Sequence, residues 1–338
     1  MNAIVLQAPG QLKPESVANP MPGPDDCLLR VTHGGICGTD LSLYTGHMPT
    51  EYPRIMGHEI IAEVIQTGSG EIREGQRVVV DPALFCGDCY CCRAGLTNLC
   101  LKGGLIGREV DGGFAEYIAV PGKHVFPLPD GIGSRIAPLI QVLTTCRHAQ
   151  RFVDLSPAQS VAVTGLGVTG QLHVQLAKAR GAHPVIGVTR SAFKQDLAER
   201  LGADLTLPSG PEATAAVLEA TEGLGADVVI ECTGKTKVIA QAVEMARPGG
   251  TIVLFGTSTE TKSELSFFQM YFKELKVLNT RAAKAEDFPV SLELVASGAV
   301  KLEPLVSHTM PMQALEEAML LLESDADQRL KVILENDW

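Results

Sequence analysis

The chain has 338 residues, 45% hydrophobic and 20% charged, with a formal net charge of −11. That describes a soluble globular protein of two ordinary domains, able to bury its cores without disulfide staples. An acidic chain with no lysine–arginine cluster argues against nucleic acid and anionic membranes as partners, and no leader or bilayer-length apolar run is evident, so the cytoplasm is expected. In a reducing compartment the nine cysteines would be metal ligands, catalytic thiols or small core residues.

Met1–Leu6 reads as a first strand. Pro20, Pro22 and Pro24 mark an extended lead into Leu28–Val31, and Ile60–Ile65 and Arg77–Val80 follow as short β-branched strands. Residues 1–135 are therefore expected to be β-rich. Inside this stretch, Gly35-Ile36-Cys37-Gly38-Thr39-Asp40 is followed by Gly57-His58-Glu59. A thiolate, an imidazole and a carboxylate favour zinc over magnesium or calcium, and three protein ligands leave a position for substrate. Taken alone, Cys37 and His58 favour a satisfied core histidine beside an unrelated thiol; what overturns that reading lies further along the chain.

Cys86, Cys89, Cys92 and Cys100 form C-x2-C-x2-C-x7-C, a spacing that can close a tetrahedral structural zinc site. Iron–sulfur ligation competes, but those motifs place the next cysteine three residues on, before a proline. Cys27, Cys91, Cys146 and Cys232 are left as core or surface thiols.

Near residue 150 strands begin to alternate with helical patterns, which implies βαβ units and a parallel sheet. Ser160–Thr164 is a strand, Gly165-Leu166-Gly167-Val168-Thr169-Gly170 is G-x-G-x-x-G, and Leu172, Gln175, Leu176 and Ala179 share a helix face. Strand before and helix after make this a dinucleotide-binding turn, with Gly165, Gly167, Val168 and Gly170 at the pyrophosphate. The next strand, Val185–Val188, ends in Thr189 where an NAD site would carry Asp or Glu. Arg190 and Lys194 follow, as donors to a 2′-phosphate or as a solvated helix start. NADP is expected, with NAD possible. Further strands are read at Ala203–Leu207, Asp227–Glu231, Gly250–Gly256 and Lys273–Leu278. Their carboxyl ends put Thr233, Gly234, Phe255 and Gly256 beside the cofactor, and Arg281, after the last strand, joins that set. Helices over 287–296 and 313–323 and a strand at Leu330–Leu334 close the chain.

Together these motifs, with Asp111-Gly112-Gly113-Phe114-Ala115-Glu116-Tyr117, resemble the zinc-dependent alcohol and polyol dehydrogenases of the medium-chain dehydrogenase/reductase superfamily along the whole chain. Tyr52–Glu59, Lys273-Glu274-Leu275 and Glu286–Pro289 are closest in texture to sorbitol and hexonate 5-dehydrogenases. The resemblance implies an α/β protein: a β-rich GroES-like catalytic domain over 1–148, completed by about 281–338, and a Rossmann doubly wound parallel sheet over 149–280. It implies a homodimer or homotetramer acting on a small alcohol or carbohydrate. Zinc on Cys37, His58 and Glu59 would lower the pKa of the substrate hydroxyl, Thr39 would take its proton, and Thr145 would lie near the nicotinamide. Two departures stand out. Gln141 takes the place of a glutamate that polyol members usually carry near the metal, unless Ala137 is the true equivalent. Ser42 stands where relatives often have a proton-relaying histidine. A zinc-free enoyl or quinone reductase lacks these ligands, and a non-catalytic cofactor-binding protein is the remaining alternative.

Overall fold

The computed structural model describes residues 1–68, 70–258, 260, 262, 264–323 and 328–338. They form two compact units: Met1–Thr144 with Ala282–Ser297 and Leu305–Trp338, and Thr145–Arg281 with Gly298–Pro304.

The first unit runs through β1 (Asn2–Ala8), β2 (Gln11–Ser16), β3 (Asp26–Gly35), α1 (Gly38–Tyr44), β4 (Arg54–Ile55), β5 (Glu59–Thr67), β6 (Arg77–Val80), β7 (Ala83–Leu84), α2 (Tyr90–Arg93), β8 (Gly104–Leu105), β9 (Tyr117–Pro121), β10 (Val125–Pro127) and the start of α3 (Leu139–Gln150). The second holds β11 (Val161–Thr164), α4 (Val168–Ala179), β12 (Val185–Thr189), α5 (Ala192–Arg200), β13 (Leu205–Pro208), α6 (Ala213–Ala220), β14 (Ala226–Glu231), α7 (Thr236–Met245), β15 (Ala246–Leu254), α8 (Phe267–Phe272) and β16 (Lys276–Asn279). The chain then returns to the first unit with α9 (Phe288–Ala296), β17 (Val306–Pro311), α10 (Leu315–Glu323) and β18 (Lys331–Glu335).

In the first unit, β10-β6-β5-β3-β18-β17 form one sheet, with β9 also on β3, and β2-β1-β4 form a smaller one. Alternate residues Cys27, Leu29 and Val31 of β3 are buried, as a strand with one face on a core requires. The last strand, β18, pairs antiparallel with β3, setting Ile333 opposite Gly35. This register brings the end of the chain beside the Cys37 loop.

In the second unit six strands run parallel in the order β13-β12-β11-β14-β15-β16, the doubly wound order of dinucleotide-binding sheets. β11 and β12 are buried at every position, as strands covered on both faces must be. Alternation sorts their side chains into two cores. Val161, Val163, Val228 and Ile230 enter one; Ala162, Ile186, Val188 and Val229 enter the other.

The boundaries differ from expectation at two places. The units divide between Thr144 and Thr145 rather than after His148, and Gly298–Pro304 group with the sheet unit. The second difference has a cause in α4. Gln175 is buried, and its carboxamide bonds both backbone groups of Lys301, accepting from N at 2.7 Å and donating to O at 3.1 Å. The strand expected at Lys273–Leu278 begins only at Lys276. Lys273 caps α8, and its ammonium donates to Val243, Glu244 and Ala246 carbonyls at the end of α7. Glu274 then takes φ 47°, a left-handed turn that ends a helix rather than extending a strand. On α8, Phe267, Phe268, Tyr271 and Phe272 are all exposed. Among the described residues no helix is long and apolar enough to cross a membrane.

Candidate metal centre and dinucleotide turn

The first site is assembled where β3 ends and β5 begins. Cys37 precedes α1, and its backbone N–H donates to Asp40 Oδ2 at 2.8 Å. The other oxygen of Asp40 accepts from Gly57 N at 3.3 Å and lies 3.4 Å from His58 Nδ1. One wholly buried carboxylate therefore ties the cysteine loop to the histidine loop. The His58 contact is long for a hydrogen bond, and Nδ1 has no other partner. With Nδ1 directed at Asp40, Nε2 is the ring nitrogen free to meet a metal. Burial disfavours the imidazolium, but Asp40 and Cys37 together hold His58 well above the usual histidine range.

Glu59 opens β5 opposite Gly35. A Cβ at Gly35 would fall 2.0 Å from Glu59 Oε2, so a glycine there leaves the space this carboxylate occupies. Sulfur, ring nitrogen and carboxylate oxygen of Cys37, His58 and Glu59 all lie within 4.8 Å of one another. Sequence reasoning did not single out Lys331. From β18 it donates to both Glu59 oxygens, at 2.7 and 2.8 Å, and to Ile36 O at 2.9 Å. Its burial penalises the ammonium, yet Glu59 and Cys37 keep its pKa above the ordinary lysine value. A lysine inside the apolar run Leu330–Leu334 was the available signal. Thr39 stands in the first turn of α1 and is partly buried; Gln141 is buried in the first turn of α3, with Ala137 buried just before it. Ser42 donates back to Gly38 O at 2.9 Å within α1.

The four cysteines of the second site are carried on the excursion between β7 and β8, which pair with each other. Their sulfurs lie 3.5 Å (Cys89–Cys92, Cys100–Cys86), 3.8 Å (Cys89–Cys100) and 4.0 Å (Cys86–Cys92) apart. A tetrahedron with Zn–S bonds of about 2.3 Å has edges of about 3.8 Å. The spacing fits that ion and is far from the ~2.05 Å of a disulfide. Backbone N–H groups of Cys92 and Leu101 pull the Cys89 thiol down to about 6. Asp88 pushes the Cys86 thiol up to about 12. Cys27 and Cys146 are buried; Cys91 and Cys232 are partly so.

The third element is the turn from β11 into α4. Gly165 N donates to Val188 O at 2.8 Å, fastening the turn to the end of β12. A Cβ on Gly170 would meet Gly165 O at 2.0 Å, so only glycine allows α4 to start so close to the strand. A Cβ on Gly165 would meet Thr233, and one on Gly234 would meet Thr257 and Gly256. The turns after β11, β14 and β15 are thus immediate neighbours. Buried Glu231 shapes the middle one, accepting from Thr233 N at 2.6 Å and Gly234 N at 3.0 Å. Thr189 ends β12 and is buried, Arg190 is exposed, and Lys194 lies in the first turn of α5, whose N-cap is Ser191. Phe255 and Gly256 follow β15, and Arg281 is exposed beyond β16; Thr145 opens the second unit on α3.

Two family models match: the alcohol dehydrogenase GroES-like domain over 23–130 and the zinc-binding dehydrogenase over 168–297. L-galactonate-5-dehydrogenase of Escherichia coli K12 is 35% identical over 94% of each chain. A protein of Sinorhizobium meliloti 1021, assigned to the zinc-binding dehydrogenases and bound to NADP, superposes with a TM-score of 0.92 at 34% identity, covering 99% of this chain and 98% of that one. A short chain alcohol dehydrogenase of E. coli CFT073, complexed with NADH, has the same TM-score at 31% identity and 99% coverage of both. The chain belongs to the zinc-type alcohol and polyol dehydrogenases of the medium-chain dehydrogenase/reductase superfamily. In this oxidoreductase family, zinc and a nicotinamide cofactor are the groups to fit. The donor set of the first cluster and the sulfur spacing of the second both suit zinc, and the glycine turn suits a pyrophosphate at the N-terminus of α4.

Proposed function

We propose that this dehydrogenase oxidises a secondary alcohol of a polyol, sugar or sugar acid, with zinc at Cys37, His58 and Glu59 and with NADP as hydride acceptor. The observation that carries the reading is the convergence of those three donor atoms, on buried His58 and Glu59 and half-buried Cys37, in a chain with a sugar-acid dehydrogenase among its relatives. Gln141 would add a neutral amide oxygen to the set, leaving it one negative charge short of a glutamate. Cys86, Cys89, Cys92 and Cys100 would hold a second, structural zinc.

Catalytic zinc supplies a Lewis acid that lowers the pKa of an alcohol oxygen, and the nicotinamide supplies the hydride acceptor. The chain's own groups do the rest. Asp40 fixes the orientation of His58. Lys331 balances the charge of Glu59. Thr39 Oγ1 accepts the hydroxyl proton of the substrate while releasing its own outward, toward solvent. Thr145 borders the nicotinamide. The Gly165–Gly170 turn, including Gly167 and Val168, holds the pyrophosphate, and Thr233, Gly234, Phe255, Gly256 and Arg281 border the rest of the cofactor. Thr189 carries no charge to repel a 2′-phosphate, and Arg190 and Lys194 attract it. The unit containing residues 1–144 serves as the catalytic domain, and the sheet unit as the cofactor domain. The exposed aromatic residues of α8, which precedes edge strand β16 in the chain, support a homo-oligomer.

The test is a screen of purified protein against sugars, polyols and hexonates with NADP and with NAD, with zinc measured on the same sample. About two zinc ions per chain and NADP-linked oxidation of one compound class are expected. One zinc per chain with cofactor binding and no turnover would overturn the catalytic reading. A clear NAD advantage in catalytic efficiency would overturn the cofactor choice alone.

A further inference from the structure

We propose that Gln171 is a positioning residue for cofactor choice, holding the start of α5 in register with the phosphate-binding turn so that Arg190 and Lys194 meet a 2′-phosphate. The proposal rests on the NADP reading above. Gln171 directly follows the last glycine of the turn and is wholly buried. Its amide nitrogen donates to Lys194 O at 2.8 Å and, more weakly, to Leu166 O at 3.4 Å. One side chain thus joins the loop that would cradle the pyrophosphate to the residue that would face the ribose phosphate.

Packing does not account for a glutamine here. Its Oε1 is buried without a partner, which costs free energy that an apolar side chain of similar size would not incur. The amide geometry is also set without ambiguity, since both neighbours are carbonyl oxygens and only the NH2 can meet them. What the position gains is a tether on the backbone of Lys194. Other contacts hold the same loop. Gln195 donates to Thr189 O at 3.0 Å, Ser209 N donates to the same oxygen at 3.0 Å, and Ser191 Oγ accepts from Lys194 N at 3.4 Å. Loss of the Gln171 tether would therefore shift the start of α5 rather than unfold it. A shift of this kind hurts a ligand that needs the cations placed, and leaves one held by the glycine turn alone.

The probes are adenosine 2′,5′-bisphosphate and adenosine 5′-monophosphate, which differ in the 2′-phosphate and require neither metal nor turnover. Their binding to the full chain is measured by calorimetry for wild type, Gln171→Met and Gln171→Glu, neither of which carries an amide donor. Both variants are expected to bind the bisphosphate roughly tenfold more weakly, as when a supporting hydrogen bond is removed, with the monophosphate within about twofold of wild type. Equal weakening of both ligands would make Gln171 a general support of the turn and overturn the proposal, as would unchanged binding of both. Gln171→Met keeps the volume, so a folding defect confined to Gln171→Glu leaves the test intact. An Arg190→Ala, Lys194→Ala double variant checks the underlying reading. If it binds the bisphosphate as wild type does, NADP recognition at these residues falls, a result distinct from failure of the Gln171 variants alone.

Discussion

Replacing Lys331 by methionine removes the cation from a buried charge pair in the first unit. The ammonium contacts both Glu59 oxygens, and the side chains are 6% and 0% exposed. Methionine fills most of the volume, so the loss is chiefly electrostatic. Breaking one side of a buried pair strands the other charge, at a cost of about 3–5 kcal/mol. At roughly 2–4 °C per kcal/mol for a cooperative unit of this size, the melting temperature of chelator-treated protein should fall by about 6–20 °C. Adding Glu59→Gln should restore much of this, because replacing both partners leaves no buried charge uncompensated. Zinc should also narrow the gap, since a divalent cation beside Glu59 takes over the role of the lysine. The assay is thermal unfolding of the two single variants and the double variant, with chelator and with added zinc. A Lys331→Met protein within about 1 kcal/mol of wild type without metal would place the pair among those of negligible worth and refute the reasoning. So would a Glu59→Gln penalty that adds to the lysine penalty instead of offsetting it.

Cys37→Ala should abolish turnover while binding of NADPH, followed by its nicotinamide fluorescence, stays within about twofold of wild type; retained turnover would remove Cys37 from the metal. Cys89→Ser should lower bound zinc by about one ion per chain, read by elemental analysis; an unchanged zinc content would exclude the tetracysteine site. His173, buried on α4, is held near pKa 3 by desolvation. The unfolded chain takes up a proton near pH 6.5 that the folded chain refuses, so this stability is complete above about pH 6.5 and declines as pH falls toward 3, by about 2 kcal/mol at pH 5. His173→Leu should flatten that decline between pH 7.5 and 5 in urea unfolding, and parallel curves for variant and wild type would count against it.

Cys37, His58, Glu59 and the four cysteines could be read from the chain because their chemistry lies in residue type and short spacing. The glycine turn could be read because strand, glycines and helix are contiguous. Lys331 could not, because its meaning arises only when β18 pairs with β3, almost three hundred residues away in sequence. Gln171, His173 and Gln175 were hidden by the helical period, which marks a face as buried but not what a polar residue on it will meet. The misplaced strand start at Lys273 has a similar origin. Its β-like neighbours carry a local propensity that its ammonium, capping α7, overrides.

The Asp40 carboxylate has a consequence for how the two zinc sites would be filled and emptied. Through Cys37 N and Gly57 N it ties the Cys37 and His58 loops together with protein hydrogen bonds alone, so the Cys37–His58–Glu59 cluster stands as a made socket. The tetracysteine excursion is held differently: α2 buries none of its residues, the side-chain pair that spans it, Lys102–Asp88, is solvent-exposed, and its sulfurs look chiefly to one another. Stripping and reloading metal should therefore be a reversible exchange at Cys37, His58 and Glu59. At the cysteine lobe the same treatment is a folding event, and air or oxidant reaching the bare thiols would make it a one-way loss.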